Sequence, residues 1–163
     1  GKVIGGGLPV GAFGGRRELM EQMAPAGPVY QAGTLSGNPL ATSAGNAQLR
    51  YLEEHSPFQE LEATADRLVR GILAALTKAG IPASGCSIGS MWGVFFREEP
   101  VRSFEEAQGA DLDRFKKFHR ACLDRGVFLA PSPFEAGFVS VVHSDDIIDE
   151  TLEVVRGGAR EVD

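Results

Sequence analysis

Lysine, cysteine and long apolar runs are all scarce in this sequence. Its 163 residues hold 16 Lys or Arg against 22 Asp or Glu, a net charge of -6 at neutral pH. An acidic chain of this kind suits nucleic acid poorly, so no nucleic-acid partner is expected. The two cysteines, Cys86 and Cys122, are too few and too isolated for a disulfide framework or a metal site. They read as small buried hydrophobes in a reducing compartment. No apolar run approaches the ~20 residues that a membrane helix needs, and no apolar signal region opens the chain. The expectation is a cytoplasmic protein without membrane contact. What is plentiful is glycine, 21 residues, on an ordinary globular background of 43% apolar and 23% charged residues.

The scarcity of lysine makes each one legible. Lys78 falls near a helix end, and Lys116 and Lys117 fall on a charged helix, where solvated lysines belong. Lys2 stands apart, in Gly1-Lys2-Val3-Ile4 ahead of Gly5-Gly6-Gly7-Leu8-Pro9. Apolar neighbours strip water from an ammonium group and lower its pKa. The neutral amine can then attack a carbonyl and form a Schiff base. The glycines let the backbone turn sharply and approach a ligand closely. An ordinary lysine beside a glycine turn fits the same residues.

Taken in order, Val3-Ile4 and Val10-Ala12 read as short strand ends around a glycine turn. A short helix is expected over 16–22 and a loop over 24–33. Asn38-Pro39 opens a helix reaching about residue 54, with Asn as N-cap and Pro at the first position. Thr34, Ser36 and Gly37 precede that cap. Hydroxyls and free N–H groups there make either an anion site or merely a capped helix. Ser56-Pro57-Phe58-Gln59 reads as a capping box, followed by a stripe of Leu61, Ala65, Leu68, Val69, Ile72 and Leu76. Gly80 and Pro82 end that helix.

Residues 84–89 read as a loop, 91–96 as a strand and 97–110 as a charged crossing with room for one helical turn. Asp111 caps a helix whose inner face is Leu112, Phe115, Phe118 and Cys122. Strands are expected at 127–130 and 138–142, separated by a proline-held loop carrying Glu135. Ser144 caps a last helix that Gly157-Gly158 ends, with a fraying tail. His55 reads as a solvent-facing loop residue, and His119 as exposed or core-satisfied. Glu135 is the one acid between Asp124 and Asp145. It is either a solvated loop carboxylate or a functional one.

Several strings together carry a resemblance: Gly5 through Arg17, then Gly33-Thr34-Leu35-Ser36-Gly37-Asn38-Pro39, then Pro131-Ser132-Pro133-Phe134-Glu135-Ala136-Gly137. They resemble the glutamate-1-semialdehyde 2,1-aminomutase family, a branch of the fold-type I, class III enzymes that use pyridoxal 5'-phosphate (PLP) and pyridoxamine 5'-phosphate. The resemblance implies an α/β fold. Residues 1–54 would be the C-terminal part of the cofactor-binding large domain with its linking helix, and 55–163 a small C-terminal α+β domain. It implies that Lys2 carries the cofactor and shuttles protons. It implies that Gly33 and Thr34 bind cofactor, with Thr34 reaching the phosphate of a partner subunit in a homodimer with shared sites. It places Glu135 in the catalytic pocket, desolvated and able to hold a proton.

The reaction implied is an isomerisation of glutamate-1-semialdehyde to 5-aminolevulinate, the tetrapyrrole precursor. Two alternatives remain. One is a sister class III aminotransferase acting on an ω-amine. The other is a non-catalytic fragment, since the acid for the pyridine nitrogen, the ring-stacking aromatic and most of the phosphate cup would lie upstream of Gly1.

Overall fold

The computed structural model describes residue 1 and residues 3–162. Lys2, the candidate cofactor lysine, lies outside the described residues. The chain divides into two compact units, Gly1–Ser56 and Pro57–Asp163.

In the first unit a turn follows Gly1. The N–H of Gly6 donates to Val3 O at 3.2 Å and that of Leu8 to Gly5 O at 3.0 Å. Extended chain then leads to α1 (Arg17–Met20) and to a loop closed by a parallel bridge between Met23 and Val29, in which Ala24 N–H donates to Val29 O at 2.8 Å. Helix α2 (Pro39–His55) begins where the sequence places it. The Asn38 side chain accepts from Ala41 N–H at 2.9 Å, with Pro39 at the first position. It ends at Ser56 in the left-handed region, φ 42. Among the described residues of this unit the buried ones are small: Gly5, Ala41 and Gly45.

The second unit is built on α3 (Phe58–Lys78). Its buried face is Ala65, Leu68, Val69, Ile72, Ala75 and Leu76: the stripe read from the spacing, except that Leu61 is only half-buried and Ala75 joins it. Gly80 stops it with φ +74. Strands β1 (Ser84–Ile88) and β2 (Met91–Phe95) form an antiparallel hairpin from Ser84↔Phe95 to Ile88↔Met91. A two-residue connection closes it, with Gly89 at φ +56, a backbone that hairpin turns require. After α4 (Phe104–Gln108) and α5 (Leu112–Leu123), β3 (Gly137–Phe138) adds to β2, giving the order β1-β2-β3. Helix α6 (Asp145–Ala159) packs beside α3, and Arg67 holds Asp145 and Asp149, each at 2.6 Å. Ile72, Leu76, Cys122, Val155 and Val162 are the fully buried centre, each large side chain worth ~1.5–3 kcal/mol of burial. Burial pushes the Cys122 thiol up to about 11, so it stays protonated and inert. No helix among the described residues is long and apolar enough to cross a membrane.

Several expectations need correction. Val3-Ile4 and Val10-Ala12 form no strands; turn hydrogen bonds take up the first and no ladder partner meets the second. Ser56 does not cap α3: its N–H closes α2 onto Leu52 O at 2.9 Å, and α3 has no side-chain cap. Residues 84–88 are a strand, although Ser and Gly favour strands poorly, because the hairpin supplies pairing and Gly85 lets α3 approach. A Cβ there would lie 3.1 Å from Val69 Cγ1.

Residues 127–130 form no strand; the Leu129 carbonyl is met instead by His119 Nε2 at 3.1 Å, which satisfies that histidine. The strand expected at 138–142 stops at Phe138, because Ser140 and His143 close a turn, His143 N–H to Ser140 O at 3.0 Å. Gly157 and Gly158 lie within α6 rather than ending it. As far as Val162 the tail is packed rather than frayed: Val162 is buried and its carbonyl accepts from Lys117 Nζ at 3.2 Å. Cys86 is exposed, on the sheet face away from α3. His55 ends α2 and stacks on Tyr51 at 4.2 Å.

Candidate functional site

The first unit holds a cleft of about 640 Å³. One wall is the extended chain from Pro9 to Phe13; the other is Gly33, Leu35, Ser36, Gly37 and the start of α2. The turn at 34–37 is pinned to the helix by one residue. Asn38 Nδ2 donates to Leu35 O at 2.9 Å while its Oδ1 accepts from Ala41 N–H. Gly37 takes φ +69, which glycine adopts freely. At Gly33 an added Cβ would stand 2.8 Å from Ser36 Oγ, so that hydroxyl would have to rotate aside. Thr34 is exposed in the same turn and does not line the cleft. The lining residues carry no charge. Hydroxyls, glycine N–H groups and a helix N-terminus are the donor set that suits a phosphate monoester.

The glycine turn after residue 2 rests on the same helix. Gly6 takes φ +59, and a Cβ on it would meet Ala44 O at 3.0 Å. A Cβ on Gly45 would meet Ile4 O at 2.9 Å. Two glycines, one in the turn and one in α2, therefore allow backbone to pack on backbone. Helix α2 thus presents its N-terminus to the cleft and seats the glycine turn.

Glu135 belongs to the second unit. Its N–H closes a turn onto Ser132 O at 3.2 Å, with Pro133 at the second position, which suits its fixed φ. The carboxylate is exposed rather than desolvated in this chain, and it has no side-chain partner among the described residues. It rims a small cavity of about 40 Å³ that reaches Trp92 and Phe118, and an outer cleft of about 170 Å³ beside Met91 and Phe95. Gly33 and Thr34 are brought together in one turn, and Glu135 stands in a separate one. Sequence reasoning missed Asn38 as the pin of the 34–37 turn. It missed two aromatic contacts on the Glu135 loop as well. The lone Trp92 opposite Gly137 was the available signal, but strand register cannot be read without the fold.

The α/β fold is that of PLP-dependent transaminases. An ω-transaminase crystal structure from Sphaerobacter thermophilus matches with TM-score 0.83 and 26% identity, over 98% of this chain and 37% of that one. A transaminase with PLP bound matches with TM-score 0.82 and 25% identity, over 99% of this chain and 37% of that one. The class III aminotransferase family model matches residues 1–155, and the chain belongs to that family. Over 152 residues it is 57% identical to the glutamate-1-semialdehyde 2,1-aminomutase of Persephonella marina (strain DSM 14350 / EX-H1), covering 93% of this chain and 36% of the relative. The chain spans little more than a third of the length of each of these proteins.

Proposed function

We propose that the chain is part of a cytoplasmic, homodimeric glutamate-1-semialdehyde 2,1-aminomutase, which moves an amino group within its substrate to give 5-aminolevulinate for tetrapyrrole synthesis. One observation carries the reading. Identity to the aminomutase is 57%, against 26% and 25% to the two solved transaminases, although all three alignments cover nearly the whole chain. Residues 1–54 are assigned to the end of the cofactor-binding large domain with its linking helix, and 55–163 to the small C-terminal domain.

The residues present suit PLP. The neutral cleft with its Ser36 hydroxyl, glycine N–H groups and crowded Gly33 can take a phosphate close to backbone. When bound, the cofactor supplies the electron sink for chemistry at the substrate carbon. Lys2 Nζ would hold the cofactor covalently and, once released as a neutral amine, would be the group able to take up and return a proton there. Gly33 leaves room for close approach. The Thr34 hydroxyl would be a donor for the phosphate of the second subunit's cofactor. Its exposure, outside the lining of its own cleft, supports that role. The Glu135 carboxylate holds or passes a proton at the substrate side of the site.

An ω-amine aminotransferase is the second reading, favoured by the TM-score of 0.83 to one. The two differ in their need for a co-substrate. The full-length enzyme, given glutamate-1-semialdehyde alone, is expected to release 5-aminolevulinate with no amino acceptor added. Turnover only with an ω-amine and a separate keto acid would establish the second reading instead.

A further inference from the structure

The Glu135 loop has little hydrogen bonding of its own beyond its single turn. Beyond it, β3 pairs with β2 and Val139 N–H donates to Ser90 O at 2.9 Å, and two aromatic side chains from elsewhere in the second unit lie against the loop. At its end, Gly137 pairs with Trp92 across β2 and β3. A Cβ on Gly137 would fall 2.6 Å from Trp92 Nε1 and closer still to the ring carbon Cε2. The indole therefore occupies the space that a side chain at 137 would take. At its middle, the Phe134 ring lies against Phe104, centroids 5.6 Å apart and tilted by 58°.

Phe104 itself is firmly held at the start of α4. Ser103 Oγ accepts from Glu106 N–H at 3.2 Å, and the Glu106 carboxylate accepts from Arg102 N–H at 2.6 Å. Arg97 Nη1 donates to Glu106 O at 2.6 Å and ties α4 to the segment leaving β2. Phe104 and Phe134 remain 60% and 43% exposed. Core burial alone therefore gives a weak account of this pair. Both contacts fall within two residues of Glu135.

We infer that Trp92 and Phe104 are positioning residues for Glu135, fixing where the loop presents its carboxylate. This rests on the reading of Glu135 as an active-site group. A carboxylate carrying a proton must stand within hydrogen-bond reach of its target, and a misplacement of about 1 Å costs on the order of a hundredfold in rate. A loop of prolines, glycine and small residues without such clamps would spread its carboxylate over a wider range.

The test uses the full-length holoenzyme with Glu135→Gln, Gly137→Ala, Phe104→Leu and the two doubles that combine each with Glu135→Gln. The methyl of Gly137→Ala must displace the Trp92 indole. Gly137→Ala is expected to lower kcat about ten- to hundredfold, with cofactor still bound and a pH profile shifted like that of Glu135→Gln. Phe104→Leu should do the same more weakly. Each double should be no slower than Glu135→Gln alone, because the clamps act only through that carboxylate. Losses that multiply in the doubles would overturn the inference. So would single variants with parent kcat and pH profile beside an impaired Glu135→Gln. Parent turnover in Glu135→Gln itself would remove the active-site reading and this inference together. Should Gly137→Ala fail to fold, Phe104→Leu and its double carry the same comparison.

Discussion

Thr34 and Gly33 are neighbours with opposite requirements. Gly33 is crowded by one movable group, since an added Cβ would stand 2.8 Å from Ser36 Oγ. Thr34 is free of such crowding and exposed, so its hydroxyl is available to something outside its own cleft. If that is a cofactor phosphate, Thr34→Val removes one hydrogen bond to a charged group, worth ~1.5–3 kcal/mol, or about ten- to hundredfold in affinity. Titration of the apoenzyme with PLP is expected to show that loss with the oligomeric state unchanged. Unaltered affinity in a dimeric Thr34→Val enzyme would return Thr34 to a plain turn residue.

Helix α2 links the parts of the first unit. Its N-terminus borders the cleft, and Ala44 and Gly45 seat the glycine turn that follows residue 2. Gly45→Ala would bring a methyl 2.9 Å from the Ile4 carbonyl oxygen. Alanine gains ~1 kcal/mol of helix propensity over glycine, while overpacking costs ~1–3 kcal/mol. The backbone contact cannot relax by rotating a side chain, so the turn should shift. The expected result is weaker cofactor retention with unchanged helical circular dichroism. Elements of this kind were legible where one local device specifies them. Asn38-Pro39, Asp111 and Ser144 each open a helix, and the α3 stripe shows at spacings of three and four. Illegible elements depended on partners distant in sequence. Strand β1 exists because Met91–Phe95 pairs with it, and residues 127–130 fail as a strand because no partner does. The Thr34 and Glu135 loops were legible as loops through proline, glycine and hydroxyl spacing, and their roles only through the family resemblance. The Trp92 and Phe104 contacts were not, since they arise only from folding.

At the scale of the whole chain the two units differ in self-sufficiency. The second carries a large apolar core centred on Ile72, Leu76 and Val155. The first buries Gly5, Ala41 and Gly45 while Val3, Phe13, Tyr30, Leu35 and Leu40 stay exposed. Residues 57–163 produced alone should show slow amide exchange in α3, α5 and α6, whereas residues 1–56 alone should exchange rapidly throughout. Comparable protection in both would contradict that ranking of their cores. The functional account depends most on this chain supplying the cofactor's lysine to the full enzyme. Borohydride reduction of the full-length holoenzyme, followed by peptide mapping, tests this directly. The account predicts the pyridoxyl label on Lys2. Label on Lys78, Lys116 or Lys117, or on no lysine of this chain, would contradict it.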